Sequence, residues 1–269
     1  MTIVVFIFLT ALTQIGGLIY LISFSTHNFI NKKVSNKIVR STFKFVSFLT
    51  LYSIATFFIV PVVAKSFGRV ALPLTQTDNL KPLNFITCLL NRNYVRPELK
   101  ETTLEVARQM NNKYPGTVVN YLDANFPFIN NFPLFPHLSH NDGKKLDIAF
   151  CYIDNKTGKT SNDVPSVIGY GISEEPRANE VNTANLCVKQ SYWQYSFMMK
   201  IIPQGNKSNF TFDSIRTKGL VNLFASKSAI GKIFIEPHLK TRLKLTNNKI
   251  RFHGCQAVRH DDHIHVQLQ

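Results

Sequence analysis

The sequence predicts an α+β domain built on a small, mainly antiparallel sheet and preceded by two membrane-spanning helices. Three observations carry that expectation. The first 64 residues contain two long uncharged stretches and no Asp or Glu, the first acid being Asp78. Beyond them, strand-like runs such as LDIAFCYID lie close together without regular intervening helices. Five of the eight histidines fall in two short segments, PHLSHNDGKKLD and RHDDHIH, too concentrated to ascribe to composition.

The uncharged stretches run from Ile3 to Phe24 and from Phe45 to Ala64, 22 and 20 residues. At 1.5 Å per residue each is long enough to cross a hydrocarbon core of about 30 Å. No Lys or Arg precedes the first, which favours a retained helix over a cleaved signal peptide. Lys32, Lys33, Lys37, Arg40 and Lys44 lie between the stretches, and only Lys65 and Arg69 follow closely. Basic residues near span ends stay in the cytoplasm. The expected location is the inner (cytoplasmic) membrane, with the linker inside and everything after residue 65 facing the periplasm or cell exterior. Residues 1–64 then form an anchor and 65–97, interrupted by Pro73, Pro82 and Pro97, a juxtamembrane linker. Residues 98–269 form the domain.

Within the domain, Leu99, Thr103, Val106 and Met110 recur at helical spacing after Pro97, and Pro115-Gly116 ends the pattern. VVNYLDANFPF reads as a strand and turn. In LDIAFCYID, Leu146, Ile148, Phe150 and Tyr152 share one face, and Asp147, Ala149 and Cys151 the other. Residues 155–190, rich in Gly, Asn, Pro and Ser, read as a long loop or insertion. SYWQYSFMMKII is a short core element and GLVNLFASK a weak helix. KIFIEP, LKTRLKL and KIRFHGC lead into the terminal strand of HDDHIHVQL. Cysteines 88, 151, 187 and 255 allow two disulfides in three pairings, and none shows C-x-x-C spacing.

The net charge of +15 divides into +5 before residue 65 and +10 after it. That excess suits anionic surroundings: lipid headgroups, wall polymers or a carboxylate-bearing substrate. The basic residues are scattered and no nucleic-acid module is recognisable, so nucleic acid is not an expected partner.

The candidate site residues are His137, His140 and Asp147, with His260, His263 and His265. Two imidazoles and a carboxylate can hold zinc and leave one coordination position open, the arrangement that hydrolysis by an activated water requires. The same set also serves non-haem iron. Spaced two apart on a strand, His263 and His265 project from one face while Ile264, Val266 and Leu268 face the core. His140 and Asp147 flank the NDGKK turn, which reverses the chain.

The pattern H-x-x-H-x-x-x-x-x-x-D, followed far downstream by H-D-D-H-x-H, closely resembles the penicillin-insensitive murein endopeptidases. These belong to the LAS metallopeptidases, named for lysostaphin, D-Ala-D-Ala carboxypeptidases and sonic hedgehog. The resemblance covers Pro136 to Asp147, the segment IFIEPHLK from Ile233, and Gly254 to Leu268, but not the two apolar stretches. It implies a zinc-dependent peptidase acting on peptide cross-links of peptidoglycan. It implies zinc ligation by His140, Asp147 and His265, with His263, His260 and His137 as active-site histidines. Asp262 stands where related carboxypeptidases keep a general-base glutamate. Strand alternation points it away from His263 unless the strand begins there, which makes His263 the expected base and Asp262 its orienter. Arg92, Arg96 and Arg259 are the candidates for a transition-state arginine. A catalytically inactive zinc-containing wall- or ligand-binding module of the same fold is the alternative, as is a metal that serves stability alone. Oligomeric state and the bond cleaved are not fixed by the sequence.

Overall fold

The computed structural model describes residues 2–269. Among the described residues the strands are β1 (Val70–Ala71), β2 (Leu80–Pro82), β3 (Tyr94–Val95), β4 (Val119–Tyr121), β5 (Lys145–Ala149) and β6 (Tyr152–Asp154). They continue with β7 (Thr160–Ser161), β8 (Phe210–Phe212), β9 (Ile230–Phe234), β10 (Ile250–Arg251) and β11 (His263–Leu268). Six of them form the central sheet in the order β10-β9-β11-β5-β4-β2. A three-stranded sheet, β7-β6-β8, and the pair β1-β3 stand beside it.

The sheet is mixed. Its inner pairs, β9–β11, β11–β5 and β5–β4, are antiparallel, whereas the outer pairs β10–β9 and β2–β4 are parallel. Parallel neighbours need a crossover, usually helical. Two helices supply it: Pro97–Lys113 between β2 and β4, and Pro237–Arg242 between β9 and β10. The second takes in the first half of LKTRLKL, where Pro237 at the first helical turn starts a helix.

One face of the sheet carries the core. Leu146 and Ile148 of β5, Ile264 and Val266 of β11, and Ile230 and Ile233 of β9 are fully buried. They join Leu99, Val106 and Met110 of Pro97–Lys113 and Leu220, Val221 and Phe224 of the helix Ser214–Ser226 in one cluster. The first helix runs as its spacing predicts, with Pro97 in its first turn. The second is capped by Asp213, whose side chain accepts from the amides of Ile215 and Arg216. This covered face fixes the register of β5 and β11, since a slip of one residue would turn every apolar side chain outward.

Two expectations need correction. Residues 65–97 are more than a linker, because β2 forms an edge of the central sheet and Arg69 is fully buried. The first apolar stretch is not one spanning helix. It breaks at Gln14, which has a φ of 66°, into Thr2–Thr13 and Gly16–Lys33. The chain folds back there, and Gly17 lies so near Thr10 that a Cβ would stand 2.0 Å from its Oγ1. Among the described residues, one helix is long and apolar enough to cross a membrane, Lys37–Phe67.

Candidate metal centre

Asp147 on β5 and His265 on β11 are directly opposite partners in the antiparallel ladder. Side chains so paired leave the same face close together, and Asp147 Oδ1 lies 2.8 Å from His265 Nδ1. His140 reaches them from the loop between β4 and β5. Its Nδ1 is 2.6 Å from the Ala124 carbonyl. A carbonyl only accepts, so Nδ1 carries the proton and Nε2 presents its lone pair. That Nε2 stands 3.1 Å from His265 Nδ1 and 3.3 Å from Asp147 Oδ1. With bonds of about 2.0–2.1 Å, ligand atoms around a tetrahedral zinc are about 3.3 Å apart. The three donor atoms can therefore hold a metal ion.

The other carboxylate oxygen of Asp147 has its own company. His137 Nδ1 is 3.1 Å from Oδ2, and His263 Nε2 is 3.7 Å from it. The Tyr170 hydroxyl donates to the same oxygen over 2.9 Å and accepts from the Asp123 amide at 3.1 Å. Tyr170, its ring 4.5 Å from that of His137 and 4.9 Å from that of His263, comes from the segment read as a variable loop. Nothing in its local sequence marks it; the fold brings it in.

The ladder explains the order of side chains in HDDHIH. β11 begins at His263, so the alternation that would have turned Asp262 away does not apply. Asp262 Oδ1 lies 2.5 Å from His263 Nδ1, and its Oδ2 accepts from the Gly171 amide at 2.6 Å. His263 is opposite Ala149, whose small side chain leaves the ring room over the sheet. Asp261 points away and pairs with Arg259. His260 is held through its backbone amide, which donates to Glu236 Oε1 at 3.2 Å, and its ring lies 5.0 Å from His263 and 5.6 Å from His265.

Electrostatics sort these groups. Burial alone would raise the Asp147 carboxyl, but the imidazoles of His140 and His263 outweigh it and hold it well below the usual carboxylate range. Burial pushes His265 down to about 4, which keeps it neutral, the form that binds metal. His260 is also lowered, by burial and then by His263 and His265. His263 goes the other way: burial lowers it, but Asp147 and Asp262 carry it up to about 9. Tyr170 is raised by burial and by Asp123 and Asp147, so its hydroxyl remains a donor.

The residues fit a divalent cation on two counts. A carboxylate with no exposed surface must be compensated by positive charge. The Nε2 atom of His263, 3.7 Å from Asp147 Oδ2, is buried and finds no hydrogen-bond partner among the described residues.

The centre borders a cleft of about 530 Å³ lined in part by His137, His260 and His265. Its wall also holds His253, which the sequence reading passed over. This histidine sits outside both clustered segments, with its ring 5.5 Å from that of His260 and 4.1 Å from that of Phe234. The lining also includes Trp193 and Phe197 of SYWQYSFMMKII, expected to be core; both are exposed, whereas Tyr195 between them is buried. A disulfide between Cys187 and Cys255 ties the helix Thr183–Lys189 to the segment just before RHDDHIH, and Cys88 and Cys151 remain buried thiols.

The three candidate arginines are committed elsewhere. Arg92 pairs with Asp123 at 2.7 Å and donates to the Phe135 carbonyl. Arg96 donates to the Asp142 carbonyl at 3.1 Å. Arg259 is locked between Asp261 and Glu175. No protein-family model matches this chain, and no curated protein matches it.

Proposed function

We propose that the chain is a membrane-anchored zinc metallopeptidase that hydrolyses peptide bonds of peptidoglycan. One observation carries the reading: His140 Nε2, Asp147 Oδ1 and His265 Nδ1 converge to within 3.3 Å at the edge of a cleft. Zinc bound by such a set acidifies water and polarises a carbonyl. The chain's own groups supply the proton transfers. Asp262 fixes Nδ1 of His263, and a cation on Asp147 would offset the carboxylate charge that raises this imidazole, leaving Nε2, which has no partner, to take a proton from water and return it to the leaving amine. His260, kept neutral by burial, can donate to the developing oxyanion. His137 and Tyr170 hold the second oxygen of Asp147, so the carboxylate keeps its angle toward His140 and His265.

Peptidoglycan as the substrate is supported by the shared HxxH…D and HDDHxH motifs and by the basic excess of the domain, which suits an anionic wall. The membrane reading rests on the helix Lys37–Phe67. Lys32, Lys33, Lys37, Arg40 and Lys44 lie at its N-terminal end and favour the cytoplasm, which puts the domain outside. The helix Gly16–Lys33 packs along this crossing helix, and Gln14 Oε1 accepts from the Phe128 amide of the domain at 2.9 Å, so the N-terminal helices accompany the crossing helix.

The test is release of soluble fragments from isolated peptidoglycan by the zinc-loaded full chain in detergent. Activity abolished by a chelator and by His265→Ala, with the fold retained, supports the proposal. Fragment release indifferent to both contradicts it. Zinc bound without turnover on any wall substrate identifies the inactive binding module instead.

A further inference from the structure

Asp147 faces two imidazole pairs, one on each oxygen, and the peptidase reading uses only the pair on Oδ1. His140 and His265 stand at 3.3 and 2.8 Å from Oδ1; His137 and His263 stand at 3.1 and 3.7 Å from Oδ2. Both sets meet the same geometric condition, with each residue offering one donor atom within 4.8 Å of the others. The second set is as thoroughly enclosed as the first: His137 is 6% exposed and His263 1%.

Three features suit the second set to a cation. His263 Nε2 has no hydrogen-bond partner among the described residues and points toward Oδ2. Its Nδ1 is engaged by Asp262, as the outer nitrogen of a metal-bound imidazole usually is. Oδ2 has two lone pairs, and Tyr170 takes one. His137 takes the other in the metal-free chain, and an ion between His137 and His263 would replace that contact.

We infer that Asp147 bridges two divalent-cation sites, and that the second, formed by His137, Asp147 Oδ2 and His263, is inhibitory when filled. The inference rests on the peptidase reading, in which His263 Nε2 accepts a proton. An ion on that lone pair removes the acceptor and fixes His137 at the same stroke. The two sites differ in affinity for a reason visible in the ligand spacing. The first set is tighter, with all three separations between 2.8 and 3.3 Å, whereas His263 Nε2 must close from 3.7 Å. Zinc then fills the sites in order: the first equivalent activates, and the second shuts the enzyme down.

Calorimetric titration of the metal-free full chain in detergent with zinc, alongside metal analysis after desalting, tests this. Two equivalents are expected for the wild-type chain, with turnover on peptidoglycan peaking at the first and falling at least tenfold through the second. His263→Gln and His137→Ala should each bind one equivalent, with the metal-free chain still folded by circular dichroism. A single equivalent in the wild-type chain overturns the second site and leaves the first. So does retention of two equivalents by both variants, or turnover that holds steady through the second. Absence of zinc binding altogether overturns the peptidase reading itself.

Discussion

Asp147 shows how much one buried carboxylate can organise. Its two oxygens collect four imidazoles and a phenol with no exposed surface of its own, an arrangement that costs dearly unless positive charge balances it. Five of those residue identities were legible in the sequence as clustered His and Asp, because metal-ligand chemistry restricts the side chains that can serve. Tyr170 and His253 were not legible, since each sits alone in unremarkable sequence and reaches the centre only through the fold. His263→Ala should lower turnover by about 10²–10⁴-fold, the usual contribution of general acid–base catalysis. The variant should keep one equivalent of zinc, as metal analysis of the purified chain would show. Glu236, enclosed beside Asp261 and His260, offers a second test. Burial, and then the Asp261 charge, pushes its carboxyl up to about 7. Its folded-state value thus lies above the unfolded one, so the unfolded chain releases this proton first as pH rises. Stability from this group is complete below about pH 4.5 and is lost by about pH 7, a difference of about 3 kcal/mol. Melting curves from pH 4.5 to 8 should show that decline in the wild-type chain and a flatter profile in Glu236→Gln.

The pairing of β5 with β11 is what turns two distant motifs into one centre. Register places His265 opposite Asp147 and His263 opposite Ala149, while Leu146, Ile148, Ile264 and Val266 anchor the same strands from behind. That much follows from period-two alternation, and the sequence reading found both strands and their faces. It missed the parallel edges. A short run such as LKTRLKL alternates as a strand would, and only Pro237 and the need for a crossover to β10 make it a helix. It also missed that residues 80–82 complete the sheet, because three residues carry too little periodicity to recognise. Ile264→Ala should cost about 2–5 kcal/mol by leaving a cavity at a fully buried position, read as a shift in denaturant midpoint. Because Ile264 lies between the two strand histidines, zinc affinity should fall with it.

The break at Gln14 changes the single helix expected from composition into two. Hydropathy reports that a stretch is apolar, not that it is straight; the φ of 66° at Gln14 and the close approach at Gly17 fold the first stretch back on itself. Ile15 packs with Tyr52, Val60 and Ala64 of the helix Lys37–Phe67, so the N-terminal helices lie beside it, and in the proposed orientation the basic residues 32–44 mark its cytoplasmic end. Protease added to intact spheroplasts should digest residues after 67 and spare the basic segment 32–44; the reverse pattern would contradict the proposed orientation. The cleft beside the centre is lined by Trp193 and Phe197 as well as His260 and His265, and in the proposed function the peptide occupies it; the Cys187–Cys255 disulfide ties the segments beside it. All of this depends on residues more than 100 positions apart sharing an ion. X-ray absorption at the zinc edge of the full chain loaded with one equivalent examines that most directly. The account predicts a shell of nitrogen and oxygen at about 2.0–2.1 Å with imidazole scattering from at least two rings, lost in His265→Ala. A sulfur shell near 2.3 Å, or a spectrum unchanged by that substitution, would contradict it.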